Sequence, residues 1–203
     1  THILSHELMH GLGPKTVTVD GTTTSIRVAL KEFYSPLEEC KADIGGLFLL
    51  IKLINSYKVN FVFEFSHDLE TQKGLTYAEK LRRSLMTTYL ASIFRSARFG
   101  ADSAHGQAVI IAFNYLLEQG GINAVHHTVN ARLDKHRFSI NFSFIDAVIE
   151  NLLGDILTIQ AEGNYGEAKI FVEKYSKVPD MVRKAVEEIS VDGSIPVDIR
   201  PTY

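Results

Sequence analysis

His6-Glu7-Leu8-Met9-His10 is the stretch from which the rest of this chain can be read. If it is helical, residues four apart share a face, so His6 and His10 present two imidazoles to one point and Glu7 sits about a quarter-turn round. Two such nitrogens are half of a zinc site, because zinc takes nitrogen ligands in tetrahedral geometry and a catalytic site holds it with three protein groups and one water. Glu7 is then placed as the base for that water. An amphipathic helix can carry two histidines by accident, so the motif calls for a third ligand.

Working outward, Glu38-Glu39-Cys40-Lys41-Ala42-Asp43 meets that need. Glu39 and Asp43 are four apart and share a face of a helix opened by Pro36. Glu39 completes the zinc shell, and Asp43 accepts the free ring N–H of one histidine ligand, fixing its tautomer. The 29 positions from His10 to Glu39 let the chain leave the first helix, turn and return beside it. Glu38 has two readings. With Ser35 it makes a capping box around Pro36 at the first helical position, or it serves the metal site.

These residues resemble peptidase family M49, the dipeptidyl peptidase III family of zinc peptidases. Most of that family space the histidines one residue wider, as H-E-x-x-G-H. The five-residue form here resembles a minority, including relatives in which the peptidase-like region follows a Nudix hydrolase domain. Ala104-His105-Gly106-Gln107-Ala108 is similar to the family's A-H-x-Q-A segment, whose histidine is assigned to substrate and transition-state contacts. The resemblance runs from Thr1 to about Lys177. It implies the mainly α, zinc-binding lobe of a two-lobed metallopeptidase, with the lobe that grips the peptide lying largely upstream. The implied activity is hydrolysis of oligopeptides near their N-terminus, with Zn²⁺ on His6, His10 and Glu39, and with Glu7 and His105 as the catalytic pair. Two alternatives stand beside it: a zinc-stabilised helical module without activity of its own, and a zinc hydrolase of another amide or ester.

The 203 residues suit one domain, 1–203, expected to be a C-terminal piece of a longer protein, since Thr1 is not an initiator methionine. A formal net charge of −3, with both signs dispersed, offers no basic stripe for nucleic acid and no polybasic anchor for lipid. Ile44 to Ile54 is the longest apolar run; Gly45, Gly46 and Lys52 interrupt it, and it is too short to span a bilayer. Cys40 is the only cysteine, which fits a reducing compartment, and the chain reads as soluble and cytoplasmic.

Along the chain, Gly11, Gly13 and Pro14 stop the first helix. Thr16–Val19 and Thr23–Ala29 flank the turn pair Asp20-Gly21 and predict a short β-hairpin. The helix from Pro36 runs to about Ser56, apolar nearly all round and hence buried. Its Gly45-Gly46 pair implies close approach of another backbone, and Cys40 is a small packing residue. Asn60 to Phe65 is either strand or helix. Thr76 and Glu79 box the start of a helix reaching about Phe94, with Lys80, Arg82 and Arg83 as its solvated face. Asp102 or Ser103 caps a helix from Ala104 to Gln119, where the first-turn position favours a neutral His105 ring. His2, His67, His126, His127 and His136 read as surface or packing residues. Phe138–Phe144 reads as extended, helices follow over about 145–159, 167–177 and 179–189, and the tail from Ile195 to Pro201 reads as irregular.

Overall fold

In the computed structural model, which describes residues 2–56, 75–97, 100–128 and 134–192, the apolar helix is the axis of the molecule. It is α3, Tyr34–Asn55, and Leu37, Cys40, Ala42, Ile44 and Leu47 are completely buried along it. The N-terminal helix α1, His2–His10, lies against it on one side. On its other sides pack α4 (Tyr77–Ala97), α5 (Ala104–Glu118) and α6 (Ile145–Glu162). These contribute Ile93, Ile110, Phe113, Leu116, Ile149, Leu152 and Ile156 to a single core. Helices α7 (Tyr165–Tyr175) and α8 (Asp180–Asp192) close the bundle. The molecule is mainly α, as expected, and no helix among the described residues is long and apolar enough to cross a membrane.

The expected hairpin is present. β1 (Thr16–Val19) pairs antiparallel with β2 (Thr22–Ser25), with Val19 opposite Thr22. Asp20 and Gly21 both have positive φ, 50° and 75°, the combination a two-residue turn between twisted strands requires. The second β-rich run is shorter than expected. Ser25 ends it by accepting a hydrogen bond from the Val28 N–H, and Ile26–Leu30 becomes a short helix, α2.

That early helix also overturns the capping box at Ser35 and Glu38. The chain passes from α2 through a 3₁₀ turn, Lys31–Phe33, directly into α3, and the Tyr34 N–H is already bonded to the Lys31 carbonyl. α3 therefore starts two residues before Pro36, and Ser35 lies inside it rather than at its cap. The box at Thr76 does close: the Thr76 N–H donates to Glu79 Oε2 at 2.8 Å, and the Glu79 N–H to Thr76 Oγ1 at 3.3 Å.

Arg82 is not part of a solvated face. Its guanidinium is largely buried and grips Asp146 of α6 through Nε and Nη2 at 2.8–3.1 Å, while Nη2 also donates to the Phe142 carbonyl at 2.7 Å. Arg83 stacks over the Phe142 ring. A second hairpin was not anticipated. β3 (Ile122–Thr128) pairs with β4 (Asp134–Ile140), and Phe138 packs into an aromatic cluster with Phe94 and Phe113. The expected strand beyond Ile140 is instead a turn leading into α6. α7 begins two residues before its expected start because Asn164 caps it, accepting from the Glu167 N–H at 3.1 Å. His2 is a packing residue: it donates to the Asp43 carbonyl and sets its ring edge-on to Tyr89. Asn60–Phe65, His67, the side chains of His126, His127 and His136, and the tail from Ile195 lie outside the described residues.

Candidate metal centre

α1 reaches its partner through two glycines. A Cβ at Gly46 would lie 2.9 Å from the His6 backbone nitrogen and 3.1 Å from the Ser5 carbonyl carbon, and one at Gly45 would strike the Met9 side chain. Without side chains there, the α1 backbone settles onto α3, and His6 and His10 are brought over the turn that carries Glu38, Glu39 and Asp43.

Each imidazole is then oriented by a carboxylate. His6 Nδ1–H donates to Asp43 Oδ1 at 2.7 Å, and His10 Nδ1–H to Glu38 Oε1 at 3.1 Å. A carboxylate only accepts, so both Nδ1 atoms carry the proton, and in the neutral rings both Nε2 atoms are lone-pair donors. These two nitrogens are 3.1 Å apart. Glu39 Oε2 lies 3.4 Å from His6 Nε2 and 3.5 Å from His10 Nε2. Shielded from solvent, that oxygen has no hydrogen-bond partner.

Three electron-rich atoms thus face one another with nothing between them, which costs energy unless a cation is shared. The spacing fits one. A tetrahedron with ligand bonds of about 2.0–2.1 Å has edges of about 3.3 Å. The local charge agrees with this, since the carboxylates of Glu7, Glu38, Glu39 and Asp43 gather round the two rings, against Lys41 on Glu38 and Lys15 on the His10 carbonyl. The hydrogen bond from His6 to Asp43 holds the His6 imidazole above its ordinary pKa against the opposing effect of burial, with the Asp43, Glu39 and Glu7 charges adding to it. A proton and a metal ion therefore compete for the same position.

His105 enters from the first turn of α5, whose cap is Ser103, accepting from the Gly106 N–H at 3.0 Å. Its Nδ1 is 3.1 Å from Glu39 Oε2, although its side chain is 70% exposed. Donor atoms of His6, Glu39 and His105 also lie within 4.8 Å of one another. His10 is the better third donor on physical grounds, because its ring is anchored by Glu38 and its Nε2 is already beside His6. Glu7 is exposed, its carboxylate makes no hydrogen bond among the described residues, and its charge is felt at His6. Cys40 is fully buried, and burial pushes its thiol well up, as suits a packing residue.

Sequence reasoning missed two residues. Lys41, 2% exposed, donates to Glu38 Oε1 at 2.7 Å and to the Leu12 carbonyl at 2.8 Å. Gln160, 1% exposed, donates to Glu38 Oε2 at 2.8 Å. Lys41 stands three residues from Glu38, a helix-face signal that was available; Gln160 is 122 positions away, and nothing local announces it.

The fold and site together define a mainly helical scaffold in which His6 and His10 of α1 meet Glu39 of α3, a donor set suited to a divalent metal ion. The chain belongs to peptidase family M49, whose model matches residues 12–197, a span that begins after His10. It is similar to a DPP III structure from Caldithrix abyssi, with a TM-score of 0.75 and 32% identity over 93% of this chain and 31% of that one. It is also similar to the dipeptidyl-peptidase III structure from Corallococcus sp. strain EGB, with a TM-score of 0.78 and 36% identity over 100% of this chain and 32% of that one. Nudix hydrolase 3 of Arabidopsis thaliana is 36% identical over 204 residues, spanning 100% of this chain and 23% of that protein. The chain therefore spans about a quarter to a third of the length of these relatives.

Proposed function

We propose that this chain is the metal-bearing lobe of a zinc-dependent peptidase of the dipeptidyl peptidase III type, cleaving oligopeptides near their N-terminus. The observation that carries the reading is the orphaned Glu39 Oε2 facing His6 Nε2 and His10 Nε2 at 3.4 and 3.5 Å. These three residues would hold Zn²⁺, oriented by Asp43 and Glu38. Bound there, the ion acidifies a water towards a pKa of about 7 and polarises the scissile carbonyl. The Glu7 carboxylate takes a proton from the attacking water and passes it to the leaving amine nitrogen. His105, on the open side of Glu39, donates a hydrogen bond to the carbonyl oxygen as negative charge develops on it. Family membership and the two DPP III neighbours support peptide as the substrate class.

The peptide is gripped by a second lobe, on this proposal. The chain spans 31–32% of the DPP III structures it resembles, and Ile3, Leu4, Leu8 and Leu12 on and just after α1 are 55–78% exposed. The same coverage favours a second reading, in which this lobe binds zinc but turns over nothing alone. The lone cysteine suits a cytoplasmic setting. Assays of this chain and of a longer form against dipeptidyl arylamides, with and without chelator, separate the two readings. A zinc hydrolase with some other substrate would instead cleave simple esters or non-peptide amides in the same screen. Glu7→Gln is expected to abolish turnover while zinc stays bound, and Glu39→Gln to lose the metal. A Glu7→Gln protein that cleaves peptide at the parent rate refutes the proposal.

A further inference from the structure

The two ligand imidazoles are held differently. The Asp43 carboxylate that orients His6 sits one helical turn from Glu39 on the same helix, and its Oδ1 lies 2.7 Å from His6 Nδ1. The Glu38 carboxylate that orients His10 is the meeting point of three parts of the fold. Oε1 accepts from His10 of α1 at 3.1 Å and from Lys41 of α3 at 2.7 Å, and Oε2 accepts from Gln160 of α6 at 2.8 Å. Lys41 also donates to the Leu12 carbonyl at 2.8 Å, just beyond the end of α1, so one ammonium ties down both the strand of chain leaving His10 and the carboxylate holding its ring.

We propose that Lys41 and Gln160 are positioning residues for the metal ligand His10, fixing the Glu38 carboxylate so that it presents His10 Nε2 to His6 and Glu39. The inference rests on the reading of His6, His10 and Glu39 as a metal site and names what keeps one of them in place. A buried lysine and a buried glutamine converging on one carboxylate are otherwise a costly arrangement in a helical core, since each must be desolvated. Their geometry restricts Glu38 at both oxygens, leaving it a single orientation toward the His10 ring. Lys41 and Gln160 touch neither the substrate side of Glu39 nor Glu7, so they act only through Glu38 and the Leu12 carbonyl.

The test uses the full 203-residue chain. Zn²⁺ affinity is measured by competition with a chromogenic chelator, and the visible spectrum of the Co²⁺ form is recorded. Neutral His10 tautomers are read by long-range ¹⁵N–¹H NMR on the metal-free chain. Lys41→Met and Gln160→Leu are each expected to weaken Zn²⁺ binding about tenfold or more, the usual effect of removing a group that orients a ligand. They also shift the Co²⁺ bands and lower the share of His10 protonated at Nδ1. Gln160→Leu strands no charge and keeps the test available if Lys41→Met folds poorly; Lys41→Arg should restore most of the affinity. In a Glu38→Gln background, Lys41→Met should add little, because both act through one carboxylate. Parent-like affinity and spectrum in both single variants overturn the proposal, as does a full multiplication of the Lys41→Met and Glu38→Gln losses. If the parent chain itself takes up no Zn²⁺ or Co²⁺, the metal reading falls and this inference with it.

Discussion

Gly45 and Gly46 lie deep inside α3 and Gly154 deep inside α6, and intrinsic propensity alone says that alanine at any of these three should add up to about 1 kcal/mol. Their surroundings predict three different outcomes. Gly154 of α6 is exposed, and a Cβ there meets nothing within 4 Å, so Gly154→Ala should stabilise by about 0.4–1 kcal/mol. At Gly45 the Cβ meets the Met9 side chain, with Cγ at 3.1 Å; a methionine has three rotatable bonds and can move aside, which cancels much of the gain. At Gly46 it meets backbone, the His6 nitrogen at 2.9 Å and the Ser5 carbonyl carbon at 3.1 Å. α1 must then back away by about half an ångström to reach ordinary contact distance. Overpacking of that kind costs about 1–3 kcal/mol, so after the propensity gain Gly46→Ala should lose about 1–2 kcal/mol. Because α1 carries His6 and His10 while Glu39 stays on α3, the same shift exceeds the roughly 0.2 Å tolerance of a metal site, and Zn²⁺ affinity should fall about tenfold. Urea unfolding of the three variants, with Zn²⁺ competition on each, checks both quantities. Finding Gly46→Ala as stable as Gly154→Ala, with zinc affinity unchanged, would refute the claim that the glycine pair seats α1.

Arg82→Met should destabilise the chain by about 2 kcal/mol, because it removes the charged hydrogen bonds to Asp146 and the one to the Phe142 carbonyl, discounted for the partial exposure of Asp146. Lysine there should recover little, lacking the planar fork; denaturant midpoints within about 0.5 kcal/mol of the parent would count against the clamp. Metal-free stability should depend on pH through His6, whose pKa is raised by the Asp43 hydrogen bond against burial. A raised folded value means this stabilisation is complete below the ordinary imidazole value of about 6.5 and is lost as pH climbs through the folded one. Zn²⁺ must displace that proton, so its affinity should rise over the same interval, and Asp43→Asn should flatten both curves. Equal urea midpoints for the chelated parent at about pH 6 and about pH 8.5 would contradict the sign.

What could be read from the sequence is what helical periodicity brings together. His6 with His10 and Glu39 with Asp43 are each four apart, so two short quotations place the converging groups on two helix faces. Gly45-Gly46 in an apolar run then implies which faces meet. The box at Thr76 was legible because both members are local and bond each other directly. The box at Ser35 has the same letters and does not form, because the 3₁₀ turn at Lys31–Phe33 delivers the chain already wound. Local spelling cannot report what arrives from upstream. Arg82 looks like a surface cation until Asp146, 64 positions on, comes beside it, and Gln160 carries no signal at all until α6 packs. β3 was missed for a related reason: Ile122-Asn123-Ala124-Val125-His126-His127-Thr128 lacks clean alternation, and its pairing comes from β4 rather than from its own residues.

The converging atoms of the centre have no attraction for one another when neutral. Two imidazole lone pairs at 3.1 Å and a carboxylate oxygen at 3.4–3.5 Å would relax apart if the residues carrying them were free to move. They are held by groups placed behind them. Asp43 and Glu38 grip the far nitrogens, Lys41 and Gln160 grip Glu38, and Gly46 removes the side chain that would push α1 away. A purely structural polar cluster would be expected to satisfy its buried acceptors internally, yet Glu39 Oε2 is a buried oxygen without a hydrogen bond among the described residues, and both Nε2 nitrogens approach it, with His105 Nδ1 at 3.1 Å. Holding His6, His10 and Glu39 from behind in this way becomes favourable when a cation shared by their donor atoms offsets the cost of keeping them together.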